Sequence, residues 1–118
     1  MGRTVFTNTN LLDGENPAQQ DITVVVENNR ISATGSVASP QQGDKVVNLT
    51  GLTLMPGMVS GHYHAAYSQS LAMDDTQTLQ AIGALGNVQT ALKYGYTSVV
   101  GAGTFFDIDA RLSEAIDE

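Results

Sequence analysis

Short runs of β-branched and other apolar residues, separated by turn residues, fill the first half of the chain. They predict strands over residues 3–8, 22–27, 30–33, 45–48 and 52–55. Asn28-Asn29 between the second and third runs suits a two-residue hairpin turn, because asparagine tolerates the positive φ that such turns require. Residues 35–43 are predicted to form a polar loop, and Pro56-Gly57 ends this β-rich part of the chain.

After Pro56-Gly57 the pattern changes to strands that alternate with helices. A strand is predicted over residues 58–64, followed by a helix that begins at Asp74 or Asp75, where a carboxylate caps the first turn. Lys93 and Gly95 supply the basic last turn and the permissive stop of a helix end. The apolar residues of this helix recur near helical spacing: Leu79, Ile82, Leu85, Val88 and Leu92.

A second strand and helix follow, over residues 97–100 and from Asp107 or Asp109 onward. The apolar stripe of this helix consists of Ile108, Leu112, Ala115 and Ile116. Such alternation predicts a parallel sheet with helical crossovers, and two strands are too few to complete one. The last helix reaches Asp117-Glu118 with no residue to end it, so we expect the sequence to stop within an element and to leave sheet edges and apolar helix faces uncovered.

Composition narrows the classes of partner. The chain has five Lys and Arg residues and twelve Asp and Glu residues, which gives a net charge of −7. Because the basic residues are also scattered along the sequence, a nucleic-acid partner is not expected. Cysteine is absent, so a metal site would need nitrogen and oxygen ligands. With no secretion signal and no run of about 20 apolar residues, the sequence predicts a cytoplasmic protein without a membrane partner.

His62 and His64 are the two histidines of the chain and stand at the end of a predicted strand. Because side chains alternate along a strand, both imidazoles should project to one side, with Cα atoms roughly 6.5 to 7 Å apart, while Tyr63 points away. Neutral imidazole suits zinc and its neighbours among the transition metals. A catalytic zinc generally takes three protein ligands, so at least one more must come from elsewhere.

The segment that contains these histidines resembles the entry to the barrel of the amidohydrolase superfamily. Residues 51–64, GLTLMPGMVSGHYH, carry the family's Pro-Gly, two apolar residues, a small residue and His-X-His, and residues 91–100 resemble its first helix and second barrel strand. The likeness is greatest to the imidazolonepropionase-like and prolidase-like branches. Ser60 stands where the family usually has Asp, which puts the orientation of the site in doubt.

The resemblance implies an α/β fold in which residues 1–57 form part of a small β-sandwich. Residues 58–118 would then start a TIM-like (β/α)8 barrel, as its first two βα units. It further implies hydrolysis of amide or other C-N bonds in small substrates by metal-activated water, with one or two zinc ions held by His62 and His64. Tyr67, on the following loop, would reach the substrate.

By the same resemblance, the remaining ligands, a carboxylated Lys, two His and an Asp, would lie beyond Glu118. We therefore expect the 118-residue segment to be inactive alone and to need other polypeptide to complete the barrel, with the full-length protein a homo-oligomer. The alternative is a non-catalytic β-rich binding or assembly module derived from such an enzyme. A coding sequence that continues beyond Glu118 with these ligands would favour the enzyme.

Overall fold

The computed structural model of the chain describes residues 2–36, 38–67 and 76–117. It forms two units, Met1–Pro56 and Gly57–Glu118. Each unit contains its own sheet, so the fold is mixed α/β with a β-rich first half. In this described part, no helix is both long and apolar enough to cross a bilayer.

The first unit is a five-stranded sheet built around its first strand. The strands are β1 (Thr4–Leu11), β2 (Gln19–Glu27), β3 (Arg30–Gly35), β4 (Lys45–Asn48) and β5 (Thr53–Leu54). β1 pairs antiparallel with β2, and parallel with β4 and with β5. Asn28 and Asn29 join β2 to β3 with φ of 49° and 62°, which confirms the predicted hairpin turn.

β1 continues through the polar residues at which the sequence pattern ended it. The predicted strand stops at Asn8, whereas the observed strand runs to Leu11. Asn8 has a φ of 56°, and the pairing with β2 shifts register between Phe6 and Thr9. The polar break in the pattern is therefore a β-bulge within one strand, since a bulge interrupts pairing without ending it.

The core of the first unit lies where β1 and β2 pair. Val5 and Val25 are directly opposite each other, and both are fully buried. Their neighbours in register, Phe6 and Val24, alternate to the other face of the sheet. That face carries an apolar groove lined in part by Phe6, Val26, Ile31, Leu54 and Met55.

The second unit has the predicted order of strand, helix, strand and helix. Its elements are β6 (Met58–Tyr63), α1 (Gln77–Lys93), β7 (Tyr96–Gly101) and α2 (Ile108–Asp117). β6 and β7 pair in parallel, so their carboxyl ends meet at one edge of the sheet. Gly57 begins this unit, and a Cβ there would lie 2.2 Å from the side chain of Thr97, so only glycine allows this approach.

The start of α1 differs from the prediction. Thr76 is the N-cap, and its hydroxyl accepts a hydrogen bond from the backbone N–H of Leu79. The predicted caps Asp74 and Asp75 lie outside the described residues. Threonine has the same capping chemistry as aspartate, so the pattern of polar residues alone placed the start too early. The helix end at Lys93 and Gly95 is confirmed.

The buried face of α1 is made of small and polar residues rather than of leucines. Gln80, Ala84 and Ala91 are buried, and Ala84 packs in a core cluster with Ala65, Ala66 and Ile108. The large apolar residues of the helix are exposed: Leu79, Ile82, Leu85 and Leu92. The expectation that apolar helix faces would be uncovered is confirmed, and α2 adds exposed Ile116 to them.

Candidate metal centre

The end of β6 brings the two imidazoles together as the strand geometry predicted. The Nε2 atoms of His62 and His64 are 3.1 Å apart, and the ring centroids are 4.9 Å apart with an interplanar angle of 82°. The pairing of β6 with β7 shifts register between Ser60 and Tyr63, a stretch that contains His62. Both histidine side chains lie on one side of the strand, and their ring nitrogens converge on the same point.

The spacing of the two Nε2 atoms fits a shared metal ion. Zinc lies about 2.0 to 2.1 Å from imidazole nitrogens, so a separation of 3.1 Å corresponds to an angle of about 100° at the ion. That angle is close to tetrahedral. His62 is exposed and His64 is half-buried, so neither ring is enclosed by apolar neighbours that would keep an ion out.

A backbone carbonyl from the next loop orients His64. Its Nδ1 lies 3.2 Å from the carbonyl oxygen of Gly103, which follows β7. A proton on Nδ1 makes this a hydrogen bond, and that tautomer leaves the Nε2 lone pair free for a metal. Metal-binding histidines usually have such a partner at the second ring nitrogen.

Helix α1 holds the loop that carries His64. The Tyr63 hydroxyl donates to the backbone carbonyl of Asn87 (2.8 Å), so this side chain does point away from the histidines and toward the helix. In return the Asn87 amide donates to the carbonyls of Ala65 (2.7 Å) and Tyr67 (3.1 Å). Three hydrogen bonds therefore tie the end of β6 to one helical position.

Aromatic rings extend from the histidine pair. The Tyr67 ring is 4.7 Å from that of His64, and the Phe105 ring is 5.9 Å from that of Tyr67. The sequence analysis named Tyr67 as a candidate site residue but did not name Phe105. The available signal was its position shortly after the strand end at Gly101, because the loops that follow parallel strands share one edge of the sheet.

Neither the third metal ligand nor the family's aspartate is found in the described ranges. Among residues 2–36, 38–67 and 76–117, no Asp or Glu joins His62 and His64 to make a group of three ligands. The hydroxyl of Ser60, which stands in the aspartate's place, donates to the backbone carbonyl of His62 at 3.2 Å. Within the described residues, the candidate site thus consists of two imidazoles.

Comparison with known proteins identifies the fold. No protein-family model matches the chain, and no curated protein sequence does either. Among solved structures, a Xaa-Pro dipeptidase with methionine bound in its active site is 28% identical with a TM-score of 0.83, over 98% of this chain and 30% of that one.

Two further structures show the same fold. A prolidase complexed with N-methylphosphonate-L-proline is 24% identical with a TM-score of 0.78, over 97% of this chain and 29% of that one. An amidohydrolase is 22% identical with a TM-score of 0.77 and the same coverage of both chains. The chain therefore spans about 30% of the length of these hydrolases.

Proposed function

We propose that this chain, which has the fold of the N-terminal segment of amidohydrolase-superfamily enzymes, supplies two metal ligands to a hydrolase of amide or other C-N bonds. The observation that carries the proposal is the 3.1 Å separation of the His62 and His64 Nε2 atoms, at an edge where strands of a parallel sheet end. Barrel enzymes place their chemistry at that edge. In this proposal β6, α1, β7 and α2 begin a TIM-like barrel.

A bound divalent ion such as zinc would make a water molecule nucleophilic near neutral pH and polarise the carbonyl of the substrate. The residues of this chain bind and orient. His62 and His64 would hold the ion through Nε2, and the Gly103 carbonyl lies where it fixes the ring of His64. In this proposal Tyr67 contacts the substrate, which its ring contact with His64 supports.

Other polypeptide completes the site in this proposal. A catalytic zinc generally takes three protein ligands, and the described residues bring two together. The exposed apolar side chains of α1 and β7 are suited to contact with that polypeptide, since Leu92 and Val100 are both more than half exposed. The similarity to a Xaa-Pro dipeptidase supports small amide-type substrates for the complete site.

Equilibrium dialysis against zinc, with the bound metal measured by mass spectrometry, tests the proposal. We expect the wild-type chain to bind zinc, and His62→Ala and His64→Ala each to weaken binding at least about tenfold, because either change removes a ligand. Gln89→Ala, at an exposed polar position of the same unit, is the control. Equal zinc binding by all four proteins would refute the metal site and favour a non-catalytic module.

A further inference from the structure

Three aromatic side chains form a continuous row that starts at the histidine pair. From His64 the centroid distances are 4.7 Å to Tyr67, then 5.9 Å from Tyr67 to Phe105 and 6.4 Å from Phe105 to Phe106. Tyr67 lies on the loop after β6, and the two phenylalanines lie on the loop after β7. We call Tyr67, Phe105 and Phe106 the aromatic row.

The aromatic row is accessible rather than part of the core. Phe105 is 37% exposed and Phe106 is 54% exposed, and neither belongs to the core cluster around Ala84 and Ile108. Large exposed apolar side chains are costly to leave in water and often mark binding surfaces. Here Tyr67, whose ring contacts that of His64, links the two phenylalanines to the histidine pair.

The backbone beneath the row is held in a strained conformation. Phe106 and Asp107 have φ of 59° and 48°, in the left-handed region that residues with a Cβ seldom adopt. Arg111 stabilises this turn from α2, because its guanidinium donates twice to the Asp107 carboxylate, at 3.0 and 2.9 Å. Strain that the surrounding structure maintains in this way is commonly found at functional sites.

The charges around the row select the kind of group it can bind. Arg111, which pairs with Asp107 next to Phe106, is also paired with Glu114 at 2.7 Å. The Arg111 guanidinium donates hydrogen bonds to the Asp107 and Glu114 carboxylates, and these bonds raise the pKa of Arg111 above its ordinary value. A carboxylate of a ligand would meet the acidic side chains Asp107 and Glu114 and a guanidinium that already pairs with both.

We propose that Tyr67, Phe105 and Phe106 form a subsite for an uncharged apolar or aromatic substituent of the substrate, next to the bond that is cleaved. This inference rests on the proposed metal site and adds the substrate class. Ring edges and faces next to the histidine pair favour a planar or branched apolar group over a carboxylate.

Hydroxamates, which bind zinc, provide the probe. On the zinc-loaded 118-residue chain we compare benzohydroxamate with acetohydroxamate by calorimetry, because the two differ in the group that would reach the row. We expect benzohydroxamate to bind about tenfold more tightly, as partial burial of a phenyl ring implies. Phe105→Ala should reduce this preference to about threefold or less, and Phe105→Leu should change it in the same direction.

A matched control and two contrary results separate the subsite from the metal site. Tyr94→Ala removes a ring that is 75% exposed at the end of α1 and should keep the full preference. If zinc binds but the two hydroxamates bind equally, or if Phe105→Ala retains the preference, the subsite is refuted while the metal site stands. If no zinc binds, the proposed function fails first and the subsite with it.

Discussion

At the scale of single residues, extended backbone determines where the two imidazoles lie. The sequence was sufficient to predict that His62 and His64 would share a side and that Tyr63 would face away, because alternation along a strand is a local property. The partners that orient them were not predictable. The Gly103 carbonyl is 39 residues from His64 in sequence, and only the fold brings the two together.

Ser60 offers a direct test of how position 60 tunes the metal site. We expect Ser60→Asp to tighten zinc binding about tenfold, because it restores the carboxylate that the family carries near its metal ligands. Asparagine has the size of aspartate without its charge, so Ser60→Asn should give no such gain in zinc affinity. Dialysis of both variants against zinc measures the difference, and equal affinities would show that the position does not act through charge.

The carboxylate of Asp13 makes the stability of one turn in the first unit depend on pH. Its carboxylate accepts hydrogen bonds from the Asn16 side chain and from the backbone N–H groups of Asn16 and Glu15, which lower its pKa from 3.8 to about 2. Because the pKa of Asp13 in the folded chain lies below its ordinary value, the ionised carboxylate stabilises the fold fully above about pH 4. This stabilisation is lost as the pH falls through about 2.

Removing the principal donor should reverse that shift. We expect Asn16→Ala to raise the pKa of Asp13 toward 3.8, as followed by NMR titration of the carboxyl carbon. Gln19→Ala, which removes a longer contact of 3.3 Å to the same carboxylate, should move it much less. An unchanged titration in Asn16→Ala would mean that the turn does not form as described.

At the scale of elements, local chemistry predicted turns and helix ends better than helix faces. The hairpin at Asn28-Asn29, the bounds of β4 and the stop at Gly95 are confirmed, because each depends on backbone preferences of a few residues. The buried face of α1 was not predictable in the same way. Ala84 and Ala91 repeat at helical spacing just as the leucines do, and packing decides which stripe is buried.

Asn87 connects helix α1 to the candidate site. We expect Asn87→Ala to lower the free energy of unfolding by about 1 to 3 kcal/mol, because the carbonyls of Ala65 and Tyr67 lose their donor. The variant should also weaken zinc binding several-fold, since those carbonyls belong to the loop of His64. Circular dichroism should show α1 intact, because alanine favours the helix.

Gln89→Ala is the matched control for this prediction, as an amide on the same helix that is exposed. Urea unfolding and zinc dialysis of the two variants give the comparison. If Asn87→Ala behaves like Gln89→Ala in both measurements, the helix does not position the loop.

At the scale of the whole molecule, the resemblance to amidohydrolases predicted from residues 51–64 is confirmed by the matched solved structures. The completed barrel and the hydrolytic activity remain proposals, since the chain spans about 30% of those structures. The uncovered apolar surface of the second unit was predictable for a physical reason: two parallel strands and two helices cannot cover one another's apolar faces.

The exposed and buried positions of α1 should differ in how strongly substitutions change stability. Ile82 is 64% exposed and Ala84 is fully buried, two positions apart on α1. We expect Ile82→Gln to change the free energy of unfolding by less than about 0.5 kcal/mol, and Ala84→Leu to lower it by about 1 to 3 kcal/mol through overpacking. Urea unfolding distinguishes them, and a large loss in Ile82→Gln would show that this stripe is covered in solution.

The central claim is that His62 and His64 hold one metal ion between them, and anomalous diffraction at the zinc edge from zinc-soaked crystals tests it most directly. We expect a peak about 2.0 to 2.1 Å from the Nε2 atoms of both residues. A map without a peak at that point, with the two imidazoles hydrogen-bonded to each other instead, would contradict the account.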